Sequence, residues 1–110
     1  MGKANYDPEI KNVLDSFLVM IPIVECGKMF GYPAYYVNKK MFACVYEEGV
    51  GLKVPFEAAN QLIGKEGIIS FIPLGRKKMK EWIQINRDQP EDYLKDQEIF
   101  NASIRYVASL

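Results

Sequence analysis

Histidine is absent from this chain of 110 residues. Its absence removes the commonest general acid–base side chain and the commonest metal ligand. Cysteine is scarce: Cys26 and Cys44 are too few for a disulfide framework. They lie eighteen positions apart with no carboxylate cluster beside them, so they point to no metal site either. Both are expected to be reduced thiols, packed as small apolar side chains. A surplus of one charge is also missing, because 14 Lys+Arg balance 14 Asp+Glu. That excludes the overall basic bias of a typical nucleic-acid-binding domain. Long apolar runs are lacking as well. The uncharged run from Ser16 to Val24 is nine residues and contains Pro22, whereas a membrane-spanning helix needs about 20 apolar residues. Residues 1–12 are polar and charged, unlike a secretory signal. The expectation is a cytoplasmic protein with no membrane partner and no cofactor.

What is present is an ordinary globular composition, 49% hydrophobic and 25% charged, which excludes a disordered chain. The length fits one domain, residues 1–110. Asp7-Pro8-Glu9 reads as a helix start: a cap, a proline suited to the first turn, and an acid at the positive helix end. Ile10, Val13, Leu14, Phe17, Leu18 and Ile21 continue it at helical spacing, and Pro22 ends it. From Ile23 to Val54 the period becomes that of strands, predicted at about 24–29, 34–37, 41–47 and 50–54. Asn38-Lys39-Lys40 joins the second to the third. Glu48-Gly49 joins the third to the fourth, with the glycine supplying positive φ. Such short connections make the neighbours antiparallel.

Pro55 opens a short helix over Phe56 to Ile63, which Gly64 stops. Strands over Ile68 to Pro73 and Glu81 to Ile85 flank Gly75-Arg76-Lys77-Lys78. A last helix is predicted from Pro90 to Val107, with Tyr93, Gln97, Phe100, Ile104 and Val107 on one face. The order α-β-β-β-β-α-β-β-α specifies an α+β fold, with helices packed on an antiparallel sheet of five or six strands. Ile10, Leu14, Phe17, Leu52, Ile83, Phe100 and Ile104 are expected to share its core.

No enzyme is expected. Gly64-Lys65 lacks the preceding glycine and the following Ser or Thr of a phosphate loop, and reads as a helix-stop turn. Glu47 and Glu48 are adjacent, so in a strand they point to opposite faces and share neither a proton nor a metal. Ser16, Ser70, Ser103 and Ser109 sit inside predicted elements, not on a strand-to-helix elbow. Without histidine, a Ser or Cys nucleophile lacks its usual base. No catalytic, cofactor-binding or metal-binding residue is assigned.

The aromatics carry more information. Phe30, Tyr32, Tyr35, Tyr36, Phe42 and Tyr46 fall within 17 residues. Along the third strand, alternation puts Met41, Ala43 and Val45 on one face and Phe42, Cys44 and Tyr46 on the other. Both sets are apolar, whereas a sheet covered on one side alternates apolar with polar. Two readings are open. A helix or loop of the chain wraps the second face, or a partner does. The partner surface would be Tyr32, Tyr35, Phe42, Tyr46 and Trp82, facing a second copy in a homodimer, another protein or a ligand.

The basic cluster is Arg76, Lys77, Lys78 and Lys80, which Lys39 and Lys40 could join in space. It reads as a solvated turn or as an anion contact. No recognition helix is rich in Arg, Asn or Gln. The isolated domain is therefore expected to bind no specific DNA sequence, and at most to bind weakly, with loss near physiological salt.

The stretch Lys28-Met29-Phe30-Gly31-Tyr32-Pro33-Ala34-Tyr35-Tyr36-Val37-Asn38-Lys39-Lys40-Met41-Phe42-Ala43 resembles the signature of the TfoX/Sxy N-terminal domain family. That signature runs Met-Phe-Gly, an aromatic strand, an Asn/Asp-Gly-like turn, then Met-Phe-Ala; here the turn is Asn38-Lys39. Gly51-Leu52-Lys53-Val54 is similar to the family's fourth strand. Phe71-Ile72-Pro73-Leu74-Gly75-Arg76 with Met79-Lys80-Glu81-Trp82 is similar to its closing strand pair. MmcQ/YjbR-like domains have a related helix-and-meander plan. The resemblance covers about residues 10–105 and implies a compact α+β domain. Named members regulate competence-gene transcription in bacteria and carry a second, C-terminal domain; the family has no agreed catalytic residues. Residues and resemblance together lead us to expect a stand-alone, non-enzymatic interaction or regulatory module. The alternatives are a nucleic-acid-associated transcriptional regulator acting through the basic turn, and a small-molecule-binding protein using the aromatic face.

Overall fold

A computed structural model describes residues 4–73 and 77–110. Helix α1 (Pro8–Leu18) leads into β1 (Val24–Met29), β2 (Tyr32–Val37), β3 (Lys40–Tyr46) and β4 (Gly49–Lys53). Then come α2 (Phe56–Leu62), β5 (Ile68–Ser70), β6 (Trp82–Ile85), a 3-10 helix (Pro90–Asp96) and α3 (Gln97–Ala108). The six strands form one antiparallel sheet in the order β1-β2-β3-β4-β6-β5. This is the α+β order expected, with helices against a multi-stranded sheet.

Local chemistry sets the boundaries. Asp7 Oδ1 accepts from the Glu9 N–H at 2.9 Å and caps α1. The helix ends at Leu18, short of the apolar pattern. A proline disfavours helical backbone in the residue before it, here Ile21, and the Ile21 N–H bonds the Leu18 carbonyl at 3.1 Å in a turn. The first two hairpins are tighter than expected. Phe30-Gly31 (φ 50 and 87) and Asn38-Lys39 (φ 51 and 67) each close one with the paired positive φ that matches strand twist. The third hairpin corrects the role given to its glycine. Glu47 takes the positive φ, at 54, while Gly49 begins β4. A Cβ on Gly49 would collide with Asn86 and the Ile85 carbonyl, so space is what that position requires.

Two larger departures matter. The last helix is divided, because bonds to residues before it fix its first part. Arg87 grips Asp96 through Nε to Oδ2 at 2.9 Å and Nη2 to Oδ1 at 2.7 Å. Tyr93 donates its hydroxyl to the Ile85 carbonyl at 2.8 Å. A period of three residues per turn stacks Tyr93 and Asp96 on one side, and both are buried. The second departure is a β-bulge. Tyr35 pairs with Ala43 but Tyr36 with Met41, so Phe42 is the extra residue. The bulge turns Phe42 to the side of Ala43 and Val45, and sends Met41 to the other face.

The helix-side core joins Ile10, Leu14 and Leu18 to Leu52 and Ile83 of the sheet and to Phe100 and Ile104 of α3. Phe17 packs at its margin, edge-on to Phe100 with centroids 5.4 Å apart, so all seven expected core residues meet there. The opposite face carries a second core: Tyr32, Ala34, Cys44, Tyr46, Phe71 and Trp82. Its cover is the chain itself. Phe71 folds over just beyond β5, and Ala4 and Tyr6 lie against it from before α1. Of the two readings left open for this face, the wrapping loop is the one observed.

Candidate functional site

Register decides which connections share an end of the sheet. Val24 pairs with Val37, Val37 with Lys40, and Lys53 with Trp82. One end therefore gathers the 19–23 connection, the Asn38-Lys39 turn, the close of β4 and the β5–β6 connection. Lys39, Lys40, Lys53, Lys77, Lys78 and Lys80 belong to these segments, set against Glu81, Glu57 at the start of α2 and Glu25 one residue into β1. Three strand spacings separate β2 from β6, or about 14 Å. The pairing thus brings Lys39 and Lys40 to the same end as Lys77, Lys78 and Lys80; Arg76 lies outside the described residues. The far end is the opposite. The Glu47-Glu48 turn, the Tyr6–Glu47 bridge and the segments around Ile68 and Ile85 put Asp7, Glu47, Glu48, Glu66, Asp88, Asp92 and Asp96 there, with Lys28, Lys65, Arg87 and Lys95. A net charge of zero conceals a molecule that is basic at one end and acidic at the other.

Two members of the basic set are tethered: Lys40 Nζ donates to the Leu110 main-chain oxygen at 3.4 Å, and Lys53 is held more closely. Lys53 Nζ lies 3.2 Å from Glu81 Oε1 and 5.8 Å from the Trp82 ring centroid. The Tyr106 hydroxyl donates to the same carboxylate at 3.0 Å. That hydrogen bond, and next the Lys53 ammonium, hold Glu81 below the usual carboxylate range. The five lysines other than Lys53 are exposed.

The aromatic residues that the sequence offered as a partner surface are interior. Tyr35 and Phe42 sit in the helix-side core, 1% and 0% exposed, and Tyr32, Tyr46 and Trp82 sit in the second core at 7%, 5% and 5%. They pack on one another and on Phe71. Tyr32 and Tyr46 have centroids 4.8 Å apart, and Phe71 lies 5.5 Å from both Tyr46 and Trp82. A self-association face or ligand face made of these five is not on the surface of the fold.

Sequence reasoning missed the clefts, which are built by residues distant along the chain. One, of about 450 Å³, is lined by Glu66, Asn86, Arg87, Asp88, Asp92 and Lys95. Arg87 also donates to the Glu66 carbonyl at 2.8 Å, so its donors clasp the turn before β5 and the 3-10 helix together. Another, of about 560 Å³, runs between α2 and α3 over Ala58, Leu62, Ile99 and Ala102, and Glu98 and Arg105 also line it. Among the described residues no group of three His, Cys, Asp or Glu is placed to hold a metal ion, and no helix is long and apolar enough to cross a membrane.

A polar cluster links α1 to the sheet. The Tyr35 hydroxyl donates to Asp15 Oδ1 at 2.6 Å, and Lys11 Nζ lies 2.7 Å from Oδ2. Burial first, and then the Asp15 bond, push the Tyr35 phenol well above its ordinary 10.0; burial does the same to Tyr93. Both phenols hold their protons more tightly when folded. Their contribution to stability is therefore complete below the unfolded value of 10.0 and falls as pH rises above it. The urea midpoint is expected to be lower at about pH 11 than at about pH 8, and Tyr35→Phe is expected to lessen that drop.

The thiols differ. Cys44 is buried, as expected, and burial pushes its pKa up to about 12. Cys26 is exposed, against expectation, because β1 is the sheet edge. It pairs with Tyr35 on the helix side, while Cys44 points into the second core, so β2 and the sheet itself keep them apart. Native protein is expected to take up one alkyl group quickly and the second only on unfolding. Denatured, unreduced protein should take up two; a mass short of two rejects the free-thiol assignment.

No known protein family, curated protein or solved structure matches the chain. The TfoX/Sxy resemblance rests on the motifs quoted above.

Proposed function

We propose that the chain is a non-enzymatic interaction module that holds an anionic partner at the lysine-bearing end of its sheet. One observation carries this reading: lysines from separate connections gather at one end in excess over its acids, while acids are in excess at the other. Such a dipole turns the basic end toward an anionic surface even when the net charge is zero. The attraction acts over roughly 8 Å at physiological salt, so it operates at contact range. A cytoplasmic setting agrees with two unpaired thiols. The TfoX/Sxy resemblance supplies the second reading, in which the partner is nucleic acid and the module is regulatory. That reading uses the same lysines.

Retention on immobilised heparin tests the proposal. The protein should be retained at about 0.02 M salt and elute before about 0.15 M. Lys39→Glu with Lys40→Glu should abolish retention, whereas Glu47→Lys with Glu48→Lys should not weaken it. Passage without retention at the lower salt would refute the reading.

A further inference from the structure

The basic end is also where apolar side chains stand out into water. Ten large apolar residues among those described are exposed, and six of them, Val19, Met20, Ile23, Phe56, Ile72 and Met79, belong to segments that begin or end there. Met20 is 77% exposed, and Val19 and Ile23 are 51% each. The sequence accounts for the exposure. Because α1 stops at Leu18 and Pro22 prevents its continuation, the 19–23 connection turns Ile21 toward the core and leaves its other apolar residues outside. Exposed apolar residues are ordinary when scattered singly. Six of them share one end of the sheet with six lysines, which outnumber the acids Glu25, Glu57 and Glu81 there, and together they make that end amphipathic.

A nucleic-acid backbone matches only half of that end, since it offers phosphate to the lysines but no apolar phase to Met20 or Ile23. A bilayer surface rich in anionic lipid offers both. Its headgroups attract the ammonium groups, and the acyl boundary accepts the apolar tips, with lysine stems lying along the interface. We propose that the anionic partner is such a lipid surface, on which the domain stands by its basic end. This rests on the interaction-module reading above. The acidic end then faces away from the headgroups, so the charge asymmetry of the molecule also fixes its orientation. The contact is interfacial and requires no spanning helix.

The test uses the whole chain with vesicles of phosphatidylcholine alone and vesicles containing about one third phosphatidylserine, read by sedimentation. A short duplex DNA serves as the other polyanion. Binding to the anionic vesicles and not to the neutral ones is expected. Met20→Ser with Ile23→Ser should lower vesicle binding by more than about tenfold while leaving heparin retention and melting temperature unchanged. Lys39→Glu with Lys40→Glu should lower vesicle binding and heparin retention together. Undiminished vesicle binding by the double serine variant would overturn the proposal. DNA binding without vesicle binding would overturn it and leave the interaction module standing. Binding to no polyanion would overturn both.

Discussion

Truncating Leu14 to alanine is expected to lower stability by about 2–5 kcal/mol, the range for a large-to-small change in a packed core. Leu14 is wholly buried at the middle of α1, one turn from Ile10 and one from Leu18, and these three press the helix into the principal core. Part of the cost is the transfer of the lost methyl groups. The rest is the cavity, which the neighbouring core can only partly collapse to fill. A domain of this size has roughly 5–15 kcal/mol in total, so the variant should lose a large share of it. Urea denaturation measures the effect as a lower midpoint at unchanged slope. Asn12→Ala, on the exposed side of the same helix, should stay within about 0.5 kcal/mol of wild type. A near-zero cost for Leu14→Ala would show that α1 packs elsewhere.

Leu14 was legible because a helix writes its buried face every three or four residues. The strand runs and the short connections were legible in the same way, and together they gave the order of elements. What escaped was what depends on distant partners. The bulge at Phe42 adds one residue to β3, and no neighbouring residue type announces it. It exchanges the sides of Met41 and Phe42, so strict alternation misplaced both. The 3-10 helix is set by Arg87 with Asp96 and by Tyr93 with the Ile85 carbonyl. Those contacts cannot be read from an apolar period that also fits an α-helix. Cys26 is exposed because β1 is an edge, and edge position is a property of the assembled sheet. The charge division was hidden for a related reason. A composition adds charges together, whereas the strand register separates them, placing Lys40 at one end of β3 and Glu47 just past the other.

Phe71→Ala carries the other large effect, about 3–5 kcal/mol, for an aromatic removed from a core. The ring is 1% exposed and bridges Tyr46 and Trp82, with centroids 5.5 Å from each. Its seat is the bare backbone of Gly51 in β4. A Cβ there would lie 2.8 Å from Phe71 Cζ, 2.9 Å from Cε1 and 3.1 Å from Cys44 Sγ. The glycine is thus required by the closeness of the ring. Gly51→Val should drive Phe71 off the sheet and be strongly destabilising by itself. The double variant, with the valine in the space the ring has left, should cost less than the two single changes added together, because the two positions share one volume. Trp82, the sole tryptophan, reports on the same face. Its emission should shift to longer wavelength in Phe71→Ala as water reaches the indole. Additive costs in the double variant would place the ring away from Gly51. An unshifted Trp82 emission with a loss below about 1 kcal/mol would mean that Phe71 is not the cover of the second face.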